Sequence, residues 1–335
     1  MIKAYFMEAG KNAVIEVAEK DFLSETFSVK DKWLNLTNPT DKEIETVIKM
    51  TGAPEEFLKA PLDEEERART DTDDGFTIVL VDVPIVEEEE GYYTYSTIPL
   101  AVILGADTII TVCLRETSVI GDFISGRVKG LSLCKRSWFT LKVLYTVATK
   151  FLQNLRQIDK SSGRLQNELH RSMKNKELTR LLELENSLVY FSTSLQANEA
   201  VINKIIRTDV IKKYEEDREL LEDVQVENQQ AIEMCSIYRN ILSGTMDAFS
   251  SIISNNLNVA MRMLTAITFI LSIPTLIASL FGMNVPVPWQ NDVNGFWIVL
   301  VICAVCSAVA GIIVFKRPRL SRKKDKKTNV KKEKK

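Results

Sequence analysis

Hydrophobic and polar positions follow three different patterns along this chain. IKAYFM (2–7), AVIEV (13–17) and KWLNL (32–36) are short β-like runs. FTIVLVDVPIV (76–86) and STIPLAVILGADTIITVCL (96–114) are longer, rich in Val, Ile and Thr, and punctuated by turn residues. DKEIETVIKM (41–50) carries a helical pattern between them. These elements predict a mixed α/β domain over residues 1–135. From Arg136 the apolar spacing becomes helical, and Gly and Pro almost disappear. That pattern predicts helices at 136–172, 177–206 and 209–283, with long cytosolic helices, including a stalk, over 136–257. No proline separates Ile211 from Pro274, and Gly244 is the one soft spot. The last helix would be about 110 Å long at 1.5 Å per residue, long enough to carry a tilt or rotation from a cytosolic domain into a membrane.

The third pattern is apolar without period. No charge occurs from Met263 to Asn291, and none from Val293 to Phe315. A spanning helix needs about 20 mostly apolar residues. Two membrane spans are therefore predicted within 258–315, at about 260–283 and 294–315. The outer connection, 284–293, holds Pro286 and Pro288 and reads as a turn. Trp289 and Trp297 fall where an interfacial aromatic belt belongs.

The first span carries a polar stripe. Its hydroxyl residues are Thr265, Thr268, Ser272, Thr275 and Ser279, at spacings of 3, 4, 3 and 4. At 100° per residue they share an arc of about 80°. The same step continued backward reaches Met261, Asn258, Ser254, Ser251 and Asp247. Small hydroxyl residues serve close helix packing, and they also line water-filled pores. The unbroken run, ending on Asn258 and Asp247, favours the pore. Two helices cannot enclose a channel, so the pore reading requires several copies, with span one around the axis and the uniformly apolar span two outside.

Charge orients these spans. The chain's net charge of −2 hides twelve basic and two acidic residues from Lys316 onward. The basic tail, 316–335, and Arg262 face an outer connection with one acid, Asp292, and no base. Positive residues stay inside, so both termini are expected in the cytoplasm, in a plasma membrane. The tail is also suited to anionic lipid heads. The first 30 residues show no basic segment leading into an apolar one, so no cleavable signal peptide is expected. The five cysteines are scattered and fit a reducing compartment. Cys303 and Cys306 lie inside the second apolar run, where small packing residues are expected rather than a metal site. His170 is the sole histidine and cannot build a metal site alone.

Two acidic clusters remain, Glu87, Glu88, Glu89 and Glu90 before a Gly-Tyr-Tyr at an expected hairpin tip, and seven carboxylates from Glu215 to Glu227 that include Asp217 and Asp223. Clustered carboxylates suit Mg²⁺ or Ca²⁺, but before any resemblance a solvated face or protected edge is the favoured account. No phosphate loop, nucleophile elbow or histidine base is present, so neither an enzyme nor an ATP-driven pump is expected, and no organic cofactor or nucleic acid partner.

Gly282-Met283-Asn284 at the outer end of span one resembles the signature of the CorA family of divalent-metal ion transporters. Tyr238–Thr265 is similar to that family's helix entering the membrane, through Tyr238-Arg239, Ser243-Gly244, Asp247, Ser254-Asn255, Asn258, Met261 and Leu264-Thr265. The resemblance implies a funnel-shaped homopentamer that passes Mg²⁺, with cobalt and nickel as further cargoes. Gly282, Met283 and Asn284 would form an outer selectivity ring, and Asn258, Met261, Leu264, Thr265, Thr268, Ser272, Thr275 and Ser279 would line the pore. Met261 and Leu264 would gate it by dewetting. Asp223 matches a regulatory divalent-ion position between subunits, with a partner sought among Glu87, Glu88, Glu89 and Glu90. Lys316 and Arg317 resemble a basic collar at the inner mouth. Ser272 stands where relatives often carry a bulky apolar residue, which puts a second hydrophobic constriction in doubt. A zinc transporter of the same superfamily and a membrane-anchored scaffold or sensor without a pore are the alternatives. The stripe's lack of His and Cys leans against a directly coordinated soft metal.

Overall fold

A computed structural model describes residues 1–7, 14–18, 28–89, 91–172, 175–208, 214–215, 217–284, 287–288 and 293–332, with side chains described except at 89, 170–172 and 314–332. Glu90, Trp289 and Asp292 lie outside the described residues, as do the side chains of Glu89, His170, Lys316 and Arg317. The chain divides into two compact units, Met1–Met246 and Asp247–Lys335.

The first unit is built on a seven-stranded sheet. Its strands are β1 (Ile2–Met7), β2 (Val14–Glu16), β3 (Lys32–Thr37), β4 (Arg69–Asp73), β5 (Phe76–Glu89), β6 (Tyr92–Leu104) and β7 (Thr108–Cys113). Their order across the sheet is β2-β1-β3-β7-β6-β5-β4. β3 and β7 run parallel, and every other neighbouring pair is antiparallel. Val, Ile and Thr fill the central strands because branched side chains pack well on a pleated surface. Both faces are covered, so these strands read as continuous apolar runs rather than alternating ones.

One face packs on α1 (Asp41–Thr51) and α2 (Glu55–Lys59). Leu34, Leu36, Ile78, Leu80, Ala101, Ile103, Ile110 and Val112 meet Ile44, Val47, Phe57 and Leu58 there. α1 starts at a capping box between Thr40 and Glu43 and stops at Gly52, whose φ of 75° a side chain would resist. The opposite face is aromatic. The Trp33 ring lies 4.9 Å from Tyr5 and 5.4 Å from Phe139, and Phe151 lies 4.9 Å from Phe191. With Phe123, 6.2 Å from Trp33, and Tyr95, 6.1 Å from Phe191, these rings join the sheet to α3 (Ser118–Ile124), α4 (Arg136–Ser172) and α5 (Asn175–Arg207). Trp33 is fully buried, and its Nε1 donates to Thr111 Oγ1 at 2.8 Å. Thr111 in turn donates to Asn35 Oδ1 at 2.8 Å, so this buried polar chain is satisfied.

α6 (Asp217–Phe281) has 65 residues, a length of about 97 Å. It begins later than the predicted 209. Asp217, 1% exposed, accepts the Tyr214 backbone N–H and the Ser137 hydroxyl, each at 2.9 Å, and so ties the start of α6 to the turn before it and to α4. The acidic run is thus not uniformly a solvated face. Within the first unit α6 packs on α5, where Asn228 donates to the Leu195 carbonyl and Cys235 to that of Leu188.

Cys113 and Cys235 are both buried, and burial pushes each thiol up to about 11. Burial penalises the thiolate, so the fold holds the proton more tightly than the unfolded chain does. The resulting stability is complete below pH 9 and is lost as pH rises through about 11, on the order of 2 kcal/mol per thiol. Exposed Cys134 should therefore react with a thiol reagent at pH 9 while Cys113 and Cys235 resist until the chain unfolds. Mass spectrometry of the labelled chain reads this directly; equal labelling of all three would contradict the burial assigned here.

Candidate ion pathway

The second unit contains the membrane-facing part of α6 and α7 (Gly295–Lys332). Both helices are long and apolar enough to cross a membrane. α7 continues past the predicted span end at 315, because Lys and Arg are good helix formers. Pro274 lies inside α6 and cannot donate to the Ile270 carbonyl, yet the helix passes through it.

The predicted stripe is exposed along its whole length. Asn258, Met261, Leu264, Thr265, Thr268, Ser272, Thr275 and Ser279 all face outward, and Thr268, Leu271, Ser272, Thr275, Leu276 and Ser279 share one open surface of the helix. The better covered residues of this stretch are Ala266, Ile270, Ile273, Pro274, Ile277 and Phe281. At 100° per residue these six share an arc of about 100° on the side opposite the stripe. On α7 the covered positions include Ile298, Val299, Ile302, Cys303, Ser307, Ala310 and Gly311, spread over somewhat more than half of its circumference. The two helices pack back to back from the stripe's point of view. Cys303 is half-buried on the packing face and Cys306 exposed, both as free thiols, consistent with small residues in a span.

The hydroxyls are oriented by the helix itself. Thr265 donates to the Met261 carbonyl at 2.8 Å, Thr268 to Leu264 at 2.9 Å, Ser272 to Phe269 at 2.8 Å and Thr275 to Leu271 at 3.0 Å. Each spends its proton inward and leaves oxygen lone pairs facing out. An acceptor-rich, uncharged surface suits water bound to a cation. Met261, 55% exposed, and Leu264, 59% exposed, interrupt this surface with apolar groups.

α6 ends at the Gly-Met-Asn segment. Gly282 still donates to the Ala278 carbonyl at 2.9 Å, and Met283 to Leu280 at 3.5 Å. A Cβ at Gly282 would lie 3.3 Å from the Ala278 oxygen, so a side chain crowds the last carbonyls of the helix. Gly282, Met283 and Asn284 are all exposed.

The acidic candidates are separate. Glu87, Glu88 and Glu89 lie on β5 at the hairpin with β6, where Glu89 pairs with Tyr92 across the expected tip. Glu87 is ion-paired to Arg115, which also reaches Glu64 at 3.3 Å. Asp223 is exposed on α6. Among the described residues, no three His, Cys, Asp or Glu side chains converge as a metal-binding group. Sequence reasoning missed Arg115, because a lone arginine after a strand carries no pattern.

The chain matches the family described as CorA-like Mg²⁺ transporter protein over residues 30–317. Among curated proteins, the cobalt/magnesium transport protein CorA of Methanocaldococcus jannaschii is 27% identical over 290 residues, covering 85% of this chain and 90% of that protein. The protein of the same description from Thermotoga maritima is 26% identical over 188 residues, covering 56% of this chain and 53% of its own length. Among solved structures, the complete CorA magnesium transporter from M. jannaschii superposes with a TM-score of 0.76 at 24% identity, covering 93% of this chain and 96% of that one.

Proposed function

The chain belongs to the CorA-like Mg²⁺ transporter family, and from that premise we propose that α6 lines a pore through which hydrated Mg²⁺ enters the cell. Members of this family are ion transporters and not enzymes, and Mg²⁺ and Co²⁺ are the cargoes that its names assign. The observation that carries the proposal is the opposition of faces on α6. The better covered face holds Ala266, Ile270, Ile273, Pro274 and Ile277, and the polar stripe is left open on the opposite side, flanked by exposed Leu271, Leu276 and Leu280. Burying apolar residues against span two while leaving hydroxyls outward suits a helix with water on that side.

Closing a pore needs copies of α6 around an axis, which fits a homopentamer in the plasma membrane with both termini cytoplasmic. Gly282 carbonyls and Asn284 amides form the outer ring. Mg²⁺ sheds water reluctantly and holds a tight octahedron, so a ring of neutral oxygens grips the ion's water shell without stripping it. Below it the ion passes Ser279, Thr275, Ser272, Thr268 and Thr265, whose oxygens accept from that shell. Met261 and Leu264 close the path by dewetting. Ser272 adds a hydroxyl where a second constriction would need an apolar group. The membrane potential drives the ion at about 2.3 kcal/mol per charge per 100 mV. Liposomes holding the full chain should take up Mg²⁺ faster as the interior is made more negative; uptake no faster than in empty liposomes would sink the pore. The zinc alternative is disfavoured by the stripe's lack of His and Cys, and comparing Mg²⁺, Co²⁺, Ni²⁺ and Zn²⁺ uptake in the same vesicles tests it.

Regulation belongs to the acidic cytosolic part. Asp223 is an exposed carboxylate with the hard oxygen donors that Mg²⁺ prefers. Carboxylates of the Glu87–Glu90 hairpin on a neighbouring subunit would complete its site, although Arg115 holds Glu87. Ion binding between subunits favours the closed pore, and unbridged carboxylates repel one another when cytosolic Mg²⁺ is low. Lys316 and Arg317 form a collar at the inner mouth. Asp223→Ala should weaken Mg²⁺-dependent protection from proteolysis and raise uptake at high internal Mg²⁺. Protection indistinguishable from that of the unaltered chain would return Asp223 to the status of a solvated helix residue.

A further inference from the structure

Gly311 of α7 lies directly against α6. A Cβ placed on Gly311 lies 3.6 Å from Ile270 Cδ1, ordinary contact distance for a methyl group but too close for a branched side chain. One turn earlier, Ser307 Oγ is shut off from solvent and has no hydrogen-bond partner. A buried hydroxyl without a partner is unfavourable, so Ser307 owes its place to small size. Ser307 and Gly311 stand at a small-xxx-small spacing on α7. The partner residue is informative. Ile270 lies about 180° from the middle of the polar stripe at 100° per residue.

We infer that Gly311 is a positioning residue for transport. It is the seat on which α7 fixes the rotation and radial position of α6, so that the stripe faces the pore axis. The inference rests on the pore reading above and adds a residue outside the pathway on which the pathway depends. A packed contact of this kind does not deform gradually, because interiors are close-packed and a larger side chain forces a backbone shift. A shift at Ile270 moves the stripe on the other side of the same helix.

The test uses the full chain in Mg²⁺-loaded and Mg²⁺-free liposomes. G311A adds only a methyl at contact distance and should transport within about twofold of the unaltered chain. G311L should overpack the seat and lower Mg²⁺ uptake about tenfold. Adding Ile270→Ala to G311L removes the opposing methyl groups and should restore most of the uptake. Disulfide trapping between subunits through Thr268→Cys should fall with G311L and recover in the double variant, a change that loss of stability alone does not reverse. The milder Gly311→Val serves the same comparison should G311L not insert. Unchanged uptake in G311L, or no recovery on adding Ile270→Ala, overturns the positioning role. The pore reading is tested separately by Asn284→Ala. If Asn284→Ala abolishes uptake while G311L does not, the pore stands and the seat falls; if the unaltered chain takes up Mg²⁺ no faster than empty liposomes do, both fall.

Discussion

Asn284→Ala should reduce Mg²⁺ uptake into liposomes at least a hundredfold while leaving the assembled protein intact. Asn284 is exposed beyond the last turn of α6, so its truncation should not affect folding. Its amide oxygen and N–H₂ can hold the water shell of an arriving ion from a ring of copies at once. Each lost hydrogen bond is worth about 1 kcal/mol, and a symmetric ring loses one per subunit. A barrier raised by about 3 kcal/mol already slows passage more than a hundredfold. The control is Val301→Leu on α7, exposed and away from the covered face, which should transport as the unaltered chain does. Size-exclusion chromatography of both variants checks assembly, and uptake equal to the control would remove the selectivity ring from the mechanism.

The second large effect is on stability. Trp33→Ala should destabilise the first unit by about 3–5 kcal/mol, the range for deleting a large aromatic core residue. Trp33 is fully buried, contacts Tyr5 and Phe139, and anchors Thr111 through its indole N–H. Truncation leaves a cavity between the sheet and α4 and deprives Thr111 of its donor. Trp33→Phe should be milder, since a ring remains and the Thr111 hydroxyl still donates to Asn35. Thermal unfolding of the detergent-solubilised chain measures the difference. A change of less than about 1 kcal/mol for Trp33→Ala would mean that the aromatic layer does not carry the sheet–helix interface.

Much of this architecture was legible beforehand. Val- and Ile-rich runs announced β5, β6 and β7, and the long helices α4, α5 and α6 appeared as stretches almost without Gly or Pro. β4 did not announce itself. Its residues are Arg-Thr-Asp-Thr-Asp, mostly exposed at the sheet edge, so neither alternation nor apolar content marks them as a strand. The usable signal was Asp74-Gly75, with φ values of 46° and 79°, a pair suited to a tight hairpin turn. α2 and α3 were missed because five and seven residues are too few for a helical period to show.

The candidate site divides along similar lines. Stripe spacing, the charge-free spans and Gly282-Met283-Asn284 are local facts of order and composition, and the sequence by itself determined them. It also determined that the helix entering the membrane is the one carrying the stripe, because no breaker intervenes before Pro274. Only the tertiary structure decided which side of that helix is covered. Ile270, Ile273 and Ile277 differ little in hydrophobicity from Leu271, Leu276 and Leu280, and periodicity cannot say which of them α7 shields. Tertiary structure likewise decided that β3 and β7 lie side by side and parallel, with paired residues 76 apart in the chain, and that Arg115 holds Glu87. These are long-range pairings. They depend on how whole surfaces fit together and leave no mark in the spacing of neighbouring residues.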